Sequence, residues 1–202
     1  STTCSTTCAA TTAAMSAPVA PGPGAIVGVK RKLPSRYAIH PVESGGCGGP
    51  PAGRTFKAII PGGSSVPIMT RQEAEEAIFD YEGVVAKGSM LGSAGMIVMD
   101  DSTDMVYQIW RLARFYAHES CAQCTQCREG TAWMTKILER IVAGQGTYED
   151  LDTIFELSES MTGKTICVLS DSCAAPVVSG IKKFRAEFDA YLSGSRAPAL
   201  QA

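Results

Sequence analysis

No apolar run in these 202 residues approaches the roughly 20 that a membrane-spanning helix needs; the runs are short, as in Ala58-Ile59-Ile60. A helical bilayer span is thereby excluded, and the protein reads as soluble. Net charge is also lacking. With 18 Lys and Arg against 20 Asp and Glu, no global field draws the chain to nucleic acid or to a membrane surface. Acidic residues are missing until Glu43, and no Gly-rich strand–turn–helix fingerprint of a dinucleotide site occurs anywhere. Cysteine, by contrast, is plentiful and uneven: of eight, Cys121, Cys124 and Cys127 fall within seven residues. Such crowding suits a metal site better than a framework of disulfides, and points to a reducing compartment.

Residues 1–35 are rich in Ser, Thr, Ala, Pro and Gly and include the basic run Lys30-Arg31-Lys32. They hold too little apolar surface to offset the entropy of ordering, so they read as a tail. Across residues 1–70 six basic residues face Glu43 alone, a local charge of +5 in a chain of net charge −2. An acid-poor, Ser-rich, basic stretch that opens on Ser1 fits a region close to an organelle presequence, and equally a plain surface arm. Cys4 and Cys8 have no His or further Cys nearby and are not read as ligands. No role is assigned to Cys47, and residues 196–202 read as a C-terminal tail.

From residue 36 to 101 the sequence is Gly-rich with short apolar runs. Phe56 to Ile60, Val66 to Met69 and Gly95 to Asp100 read as strands joined by turns, and Arg71 to Ala77 has helix-forming composition. Gly45-Gly46-Cys47-Gly48-Gly49 and Pro61-Gly62-Gly63-Ser64-Ser65 read as tight turns. Neither has the strand–turn–helix setting and terminal Lys of a phosphate loop.

Residues 102–195 carry a helical period. Ser102 or Thr103 caps a helix placing Met105, Val106, Ile109, Leu112, Ala113 and Tyr116 on one face and ending near His118. A second runs from about Glu129 to Ala143 with Trp133, Met134, Ile137, Leu138 and Ile141 inward, and Gly144 closes it. A third starts at Thr147, carries Leu151, Ile154, Phe155, Leu157 and Met161, and stops at Gly163. A fourth spans roughly Ala175 to Leu192 with Val177, Ile181, Phe184, Phe188 and Leu192 buried. Four amphipathic helices with short connections make a small bundle.

The chemistry lies in Cys121-Ala-Gln-Cys124-Thr-Gln-Cys127. Thiols at i, i+3 and i+6 let one tight loop aim three sulfurs at one centre, as bacterial ferredoxins do for three irons of a cubane. The fourth iron needs a distant thiolate. Cys167, in an open loop between the third and fourth helices, is the natural source; Cys173 competes, but sits beside Ala174 and Ala175 and reads as a small packed residue. A structural zinc site accepts the same ligands, yet usually pairs two separated Cys-x-x-Cys hooks. His118 reads as a surface or neighbouring residue rather than a ligand. Arg128 either offsets the charge of an anionic thiolate cluster or forms an ordinary surface pair.

Three stretches carry a resemblance: Phe115-Tyr116-Ala117-His118-Glu119-Ser120-Cys121, the hook followed by Arg128-Glu129-Gly130-Thr131, and Gly163-Lys164-Thr165-Ile166-Cys167. With Ile59-Ile60-Pro61-Gly62-Gly63-Ser64-Ser65 and Gly88-Ser89-Met90-Leu91-Gly92 upstream, and Pro176 to Phe188 downstream, they resemble the NADH-binding flavoprotein subunit of respiratory complex I over about residues 45–192. The resemblance implies an α+β fold: a small β-grasp-like sheet over residues 36–101, then a four-helix bundle over 102–195 carrying a 4Fe–4S cluster on Cys121, Cys124, Cys127 and Cys167. Departures are Ala122, where the family usually has Gly, Gln126 in place of Pro, and the additional Cys173. Ala122 then needs a permissible backbone angle and Gln126 forgoes the rigidity of Pro; neither removes a ligand.

The family's flavin and nicotinamide site lies in an N-terminal domain for which this sequence has only the tail. The expectation is therefore an electron relay with FMN and NADH on a partner chain, and no catalytic residue of its own. The expected partners are the flavin/NADH-binding half of the subunit, the 2Fe–2S complex I subunit and the large iron–sulfur subunit. The expected location is the peripheral arm of complex I on the matrix side of the mitochondrial inner membrane, or the cytoplasmic side in a bacterium. Two alternatives remain: the diaphorase piece of an NAD-reducing hydrogenase or formate dehydrogenase, and a zinc-stabilised assembly module. Met90, Leu91, Met96 and Met99 read either as ordinary core residues or as contributors to a permanent apolar interface with the flavin domain.

Overall fold

The computed structural model describes residues 27–29 and 53–199. Cys4, Cys8, Cys47, the Lys30-Arg31-Lys32 run and the first glycine-rich turn lie outside the described residues. The chain divides into two compact units, one of residues 1–63 and 69–103, the other of 64–68 and 104–202. Among the described residues no helix is long and apolar enough to cross a membrane.

The first unit is built on a four-stranded antiparallel sheet in the order β1-β4-β2-β3, where β1 is Val27–Val29, β2 Phe56–Ile60, β3 Met69–Thr70 and β4 Met96–Asp100. Helices α1 (Arg71–Glu76) and α2 (Tyr81–Ala86) lie between β3 and β4 in sequence. Phe56, Ile59, Met69, Ala74, Ala77, Phe79, Val84 and Met96 form the core. Thr70 and Glu73 make a capping box that starts α1, and the Asp80 carboxylate accepts Gly83 N–H to start α2. Three features correct the sequence reading. Val27–Val29, placed in the tail, extends the sheet beside β4, because two β-branched residues around a glycine suffice for a short edge strand. Helix α2 was not foreseen; with Gly83 in its middle it is too short to show a period. The strand expected over Val66 to Met69 is reduced to Met69–Thr70, because Ile68 N–H donates to Ser179 Oγ at 2.9 Å within the second unit.

Pro61-Gly62-Gly63 is the tight turn expected. A Cβ on Gly62 would stand 2.5 Å from Met90 O and 2.7 Å from Leu91 O, so only glycine lets these backbones approach. Met96 and Met99 are buried, whereas Met90 is exposed.

The second unit is an up-and-down arrangement of α3 (Met105–Glu119), α4 (Thr125–Val142), α5 (Tyr148–Met161) and α6 (Leu169–Lys183), followed by α7 (Arg185–Leu192). Helices α3 and α4, α4 and α5, α5 and α6, and α6 and α3 pack in a ring. Asp104, rather than Ser102 or Thr103, caps α3 by accepting Tyr107 N–H at 3.1 Å. Thr147 and Asp150 cap α5 in a reciprocal box. Helix α4 starts at Thr125, four residues before the expected Glu129, and buries Cys127, Gly130, Thr131, Met134, Leu138 and Ile141. That stripe leaves Trp133 about one-third of a turn off the core face and 51% exposed, correcting its inward placement. The last expected helix proves to be two. Helix α6 begins at Leu169, with Asp171 favourably placed in its first turn, and the chain breaks at Phe184 (φ −115°, ψ 33°). The break lets Phe188 and Tyr191 be buried while Glu187 Oε2 accepts Met105 N–H at the start of α3. Arg196, read as tail, pairs with Asp104 and Glu187.

Candidate metal centre

Alternating helix directions bring the end of α3, the start of α4, the end of α5 and the start of α6 to one end of the second unit, and every cysteine proposed as a ligand stands there. Ser120 is the C-cap of α3, Cys124 the N-cap of α4, and Cys127 lies in the first turn of α4. The chain reverses between the helices at Ala122, whose φ is +63°. This is the left-handed region, costly for an L-residue other than glycine. Two groups hold it: Ala122 N–H donates to Ser120 Oγ at 3.3 Å, and Arg128 Nη1 donates to Ala122 O at 3.0 Å. Cys121 is exposed, Cys124 intermediate and Cys127 buried. Because α4 starts inside the hook, the N–H groups of its first turn and its positive dipole end are close to Cys124 and Cys127.

The loop between α5 and α6 carries Cys167. Gly163, with φ +69°, ends α5. Gly163 N–H donates to Asp171 Oδ1 at 3.0 Å, and Thr165 Oγ1 donates to Cys167 O at 2.8 Å and lies 2.6 Å from Ser170 Oγ. One bond joins this loop to the hook: Ile166 N–H donates to Cys124 Sγ at 3.4 Å. The residue before Cys167 is thus fixed against the second cysteine of the hook, across 42 positions of sequence.

Cys173 has a different setting. It lies inside α6, not at a helix entry, fully buried with its Sγ 3.8 Å from Met134 Sδ. Burial pushes its thiol up to about 12, and the neighbouring Cys127 adds to the shift, so it is a protonated packing residue at neutral pH. The side chain of His118 is 82% exposed and pairs with Glu119, its neighbour on α3. Arg128 pairs with Glu129 as well as bracing Ala122; its part in holding the hook was not visible in the sequence. Nor was that of Ser120, whose only signal was its place immediately before the first ligand.

Among the described residues no three His, Cys, Asp or Glu side chains group around a single point. Four thiols stand at the joined ends of two loops, a donor set that suits a cubane, which binds each thiolate through a different iron; Ile166 N–H donates to Cys124 Sγ, and Ser120 Oγ lies 3.4 Å from Cys127 Sγ.

Residues 107–191 match the model of the NADH-ubiquinone oxidoreductase-F iron–sulfur binding region. That match covers most of the helical part of the chain. The 4Fe–4S cluster is the cofactor of that family region. The NADH-quinone oxidoreductase F subunit 1 of Rhizobium meliloti is 46% identical over 152 residues, 75% of this chain and 35% of that protein. The corresponding protein of Rickettsia bellii is 48% identical over 134 residues, 66% of this chain and 32% of that protein. The chain thus spans about a third of the length of these curated relatives. In the crystal structure of an NAD+-reducing [NiFe]-hydrogenase in its H2-reduced state, a chain matches with TM-score 0.69 and 29% identity, covering 79% of this chain and 26% of that one.

Proposed function

We propose that this chain is the iron–sulfur electron-transfer component of the NADH dehydrogenase module of respiratory complex I, relaying electrons from a flavin held outside the present sequence to further iron–sulfur clusters on the way to quinone. Cys121, Cys124, Cys127 and Cys167 hold a 4Fe–4S cluster. When bound, that cluster supplies one-electron acceptance and release. The remaining work belongs to the protein. The hook presents three thiolates from one reversal of the chain, and the start of α4 offsets their charge. The braced loop brings the fourth thiolate, and the buried Cys127 face excludes water on the bundle side. The observation that carries the reading is the bond from Ile166 N–H to Cys124 Sγ, which joins the two cysteine-bearing segments inside the matched region.

The finer assignments belong to the same proposal. The partners are the flavin- and NADH-binding portion of the subunit, a 2Fe–2S subunit and the large iron–sulfur subunit. The place is the peripheral arm, on the matrix side of the mitochondrial inner membrane or the cytoplasmic side in a bacterium. The hydrogenase neighbour favours a second reading, a diaphorase piece of an NAD-reducing hydrogenase. The higher identity to quinone oxidoreductase subunits supports the first. Native purification under gentle conditions tests both. A flavin-containing assembly in which NADH reduces the cluster, with a quinone-linked rather than a hydrogenase partner, is expected; a stable flavin-free monomer contradicts the proposal.

A further inference from the structure

Ser120 makes two contacts that ligation by four thiolates does not use. Its Oγ accepts Ala122 N–H at 3.3 Å and lies 3.4 Å from Cys127 Sγ. A hydroxyl has one hydrogen to give and lone pairs to receive with. An amide N–H only donates, so Ala122 occupies a lone pair of Ser120 and leaves the hydroxyl hydrogen free. A metal-bound cysteine is a thiolate with no hydrogen of its own. Once Cys127 is a ligand, the contact therefore has one direction, from Ser120 O–H to Cys127 Sγ.

We infer that Ser120 is a positioning residue with two roles: its oxygen holds the left-handed Ala122, and its hydrogen, given to the Cys127 sulfur, raises the reduction potential of the site. The inference rests on the ligand reading above. Reduction adds negative charge that the ligand sulfurs share, so an O–H dipole aimed at one sulfur stabilises the reduced form more than the oxidised form. The bond is formed against a buried sulfur by a half-buried hydroxyl, where water competes little for it. Ile166 N–H does the same for Cys124 from the main chain. The donor from Ser120 is on a side chain, so substitution removes it.

The two roles separate experimentally because a glycine at position 122 adopts φ +63° without help. The full chain is isolated anaerobically with its cluster in four forms: unsubstituted, Ala122→Gly, Ser120→Ala with Ala122→Gly, and Ser120→Thr with Ala122→Gly. Iron content is measured and the midpoint potential is read by an electron paramagnetic resonance redox titration. The expected result is equal iron in all four, a more negative midpoint with alanine at 120, and return to the Ala122→Gly value with threonine, which restores the hydroxyl. An unchanged midpoint in the alanine form overturns the inference while leaving the ligand reading intact. Loss of iron from the Ser120→Ala form, even with glycine at position 122, also overturns it, since Ser120 is then structural beyond holding Ala122. Absence of iron from the unsubstituted chain refutes the ligand reading itself.

Discussion

Replacing Cys173 by Ser separates packing from ligation at the position where the sequence offered a rival fourth ligand. The Cys173 thiol is fully buried against Met134 Sδ at 3.8 Å. A serine hydroxyl there has lost its water and faces a thioether, a weak acceptor. Left unpaired, a buried hydroxyl costs about 1–3 kcal/mol. Position 173 lies within α6, however, and a helical serine donates to the carbonyl four residues back, as Ser179 does to Ala175 O and Ser172 to Val168 O. The cost then falls to about 1 kcal/mol, which for a chain of this size lowers the melting temperature by roughly 2–4 °C. Iron content stays unchanged, because the thiolates of Cys121, Cys124, Cys127 and Cys167 remain. Cys167→Ser, by contrast, leaves an exposed loop position almost neutral to folding and takes away the anionic ligand of one iron. Thermal unfolding of the cluster-free chains and iron analysis of the loaded ones give the two readouts. Loss of iron in Cys173→Ser with retention in Cys167→Ser refutes the assignment; a Cys173→Ser chain as stable as the parent refutes the packing argument.

Other expectations follow from particular contacts. A Cβ on Gly180 would run into the stiff Ile109 side chain, whereas one on Gly130 meets the flexible Met161 side chain; Gly180→Ala is expected to cost about 1 kcal/mol more than Gly130→Ala in denaturant unfolding, and equal costs contradict this. Burial opposes ionisation of Asp100, but bonds from Ser102 O–H, Ser102 N–H and Thr103 O–H, with Arg54 nearby, outweigh it and hold the carboxyl below its usual range. The resulting stability is present above about pH 3.9 and lost as pH falls through the lower folded value, so Asp100→Asn destabilises the chain at pH 7 and the difference from the parent shrinks in acid melts; a constant difference across pH 2–7 is the contrary result. In the cluster-free chain at pH 8, iodoacetamide modifies the exposed Cys121 and Cys167 at once and Cys173 only on unfolding; rapid modification of Cys173 in the folded chain, seen by mass spectrometry, contradicts its assignment as a packing residue.

How much could be read beforehand varied with the kind of signal. The helical stripes Met105–Tyr116 and Leu151–Met161 were legible because a 3.6 period persists over several turns. Helix ends were less so: Ser170, Asp171 and Ser172 look like loop residues, yet they open α6, since Ser170 is paired with Thr165 and Asp171 faces the helix N-terminus. The sequence asked for a permissible backbone angle at Ala122, and the structure instead holds it in the left-handed region at φ +63°. What holds that angle was not legible, because Ser120 and Arg128 act through one hydroxyl and one carbonyl contact that no periodicity reports. The partnering of the Cys167 loop with the hook depends on a ring of four helices, a long-range arrangement of the kind spacing alone does not encode.

The central claim is that four cysteines of this chain hold a 4Fe–4S cluster, and the most direct measurement is spectroscopy of the anaerobically isolated full chain with metal and sulfide analysis. The account predicts a brown protein containing iron and labile sulfide in equal amounts. Its visible absorption bleaches on reduction, a paramagnetic resonance signal appears in the reduced form, and both features vanish in Cys124→Ser. A colourless chain that binds a single zinc through the same cysteines, and gives no signal after reduction, contradicts it.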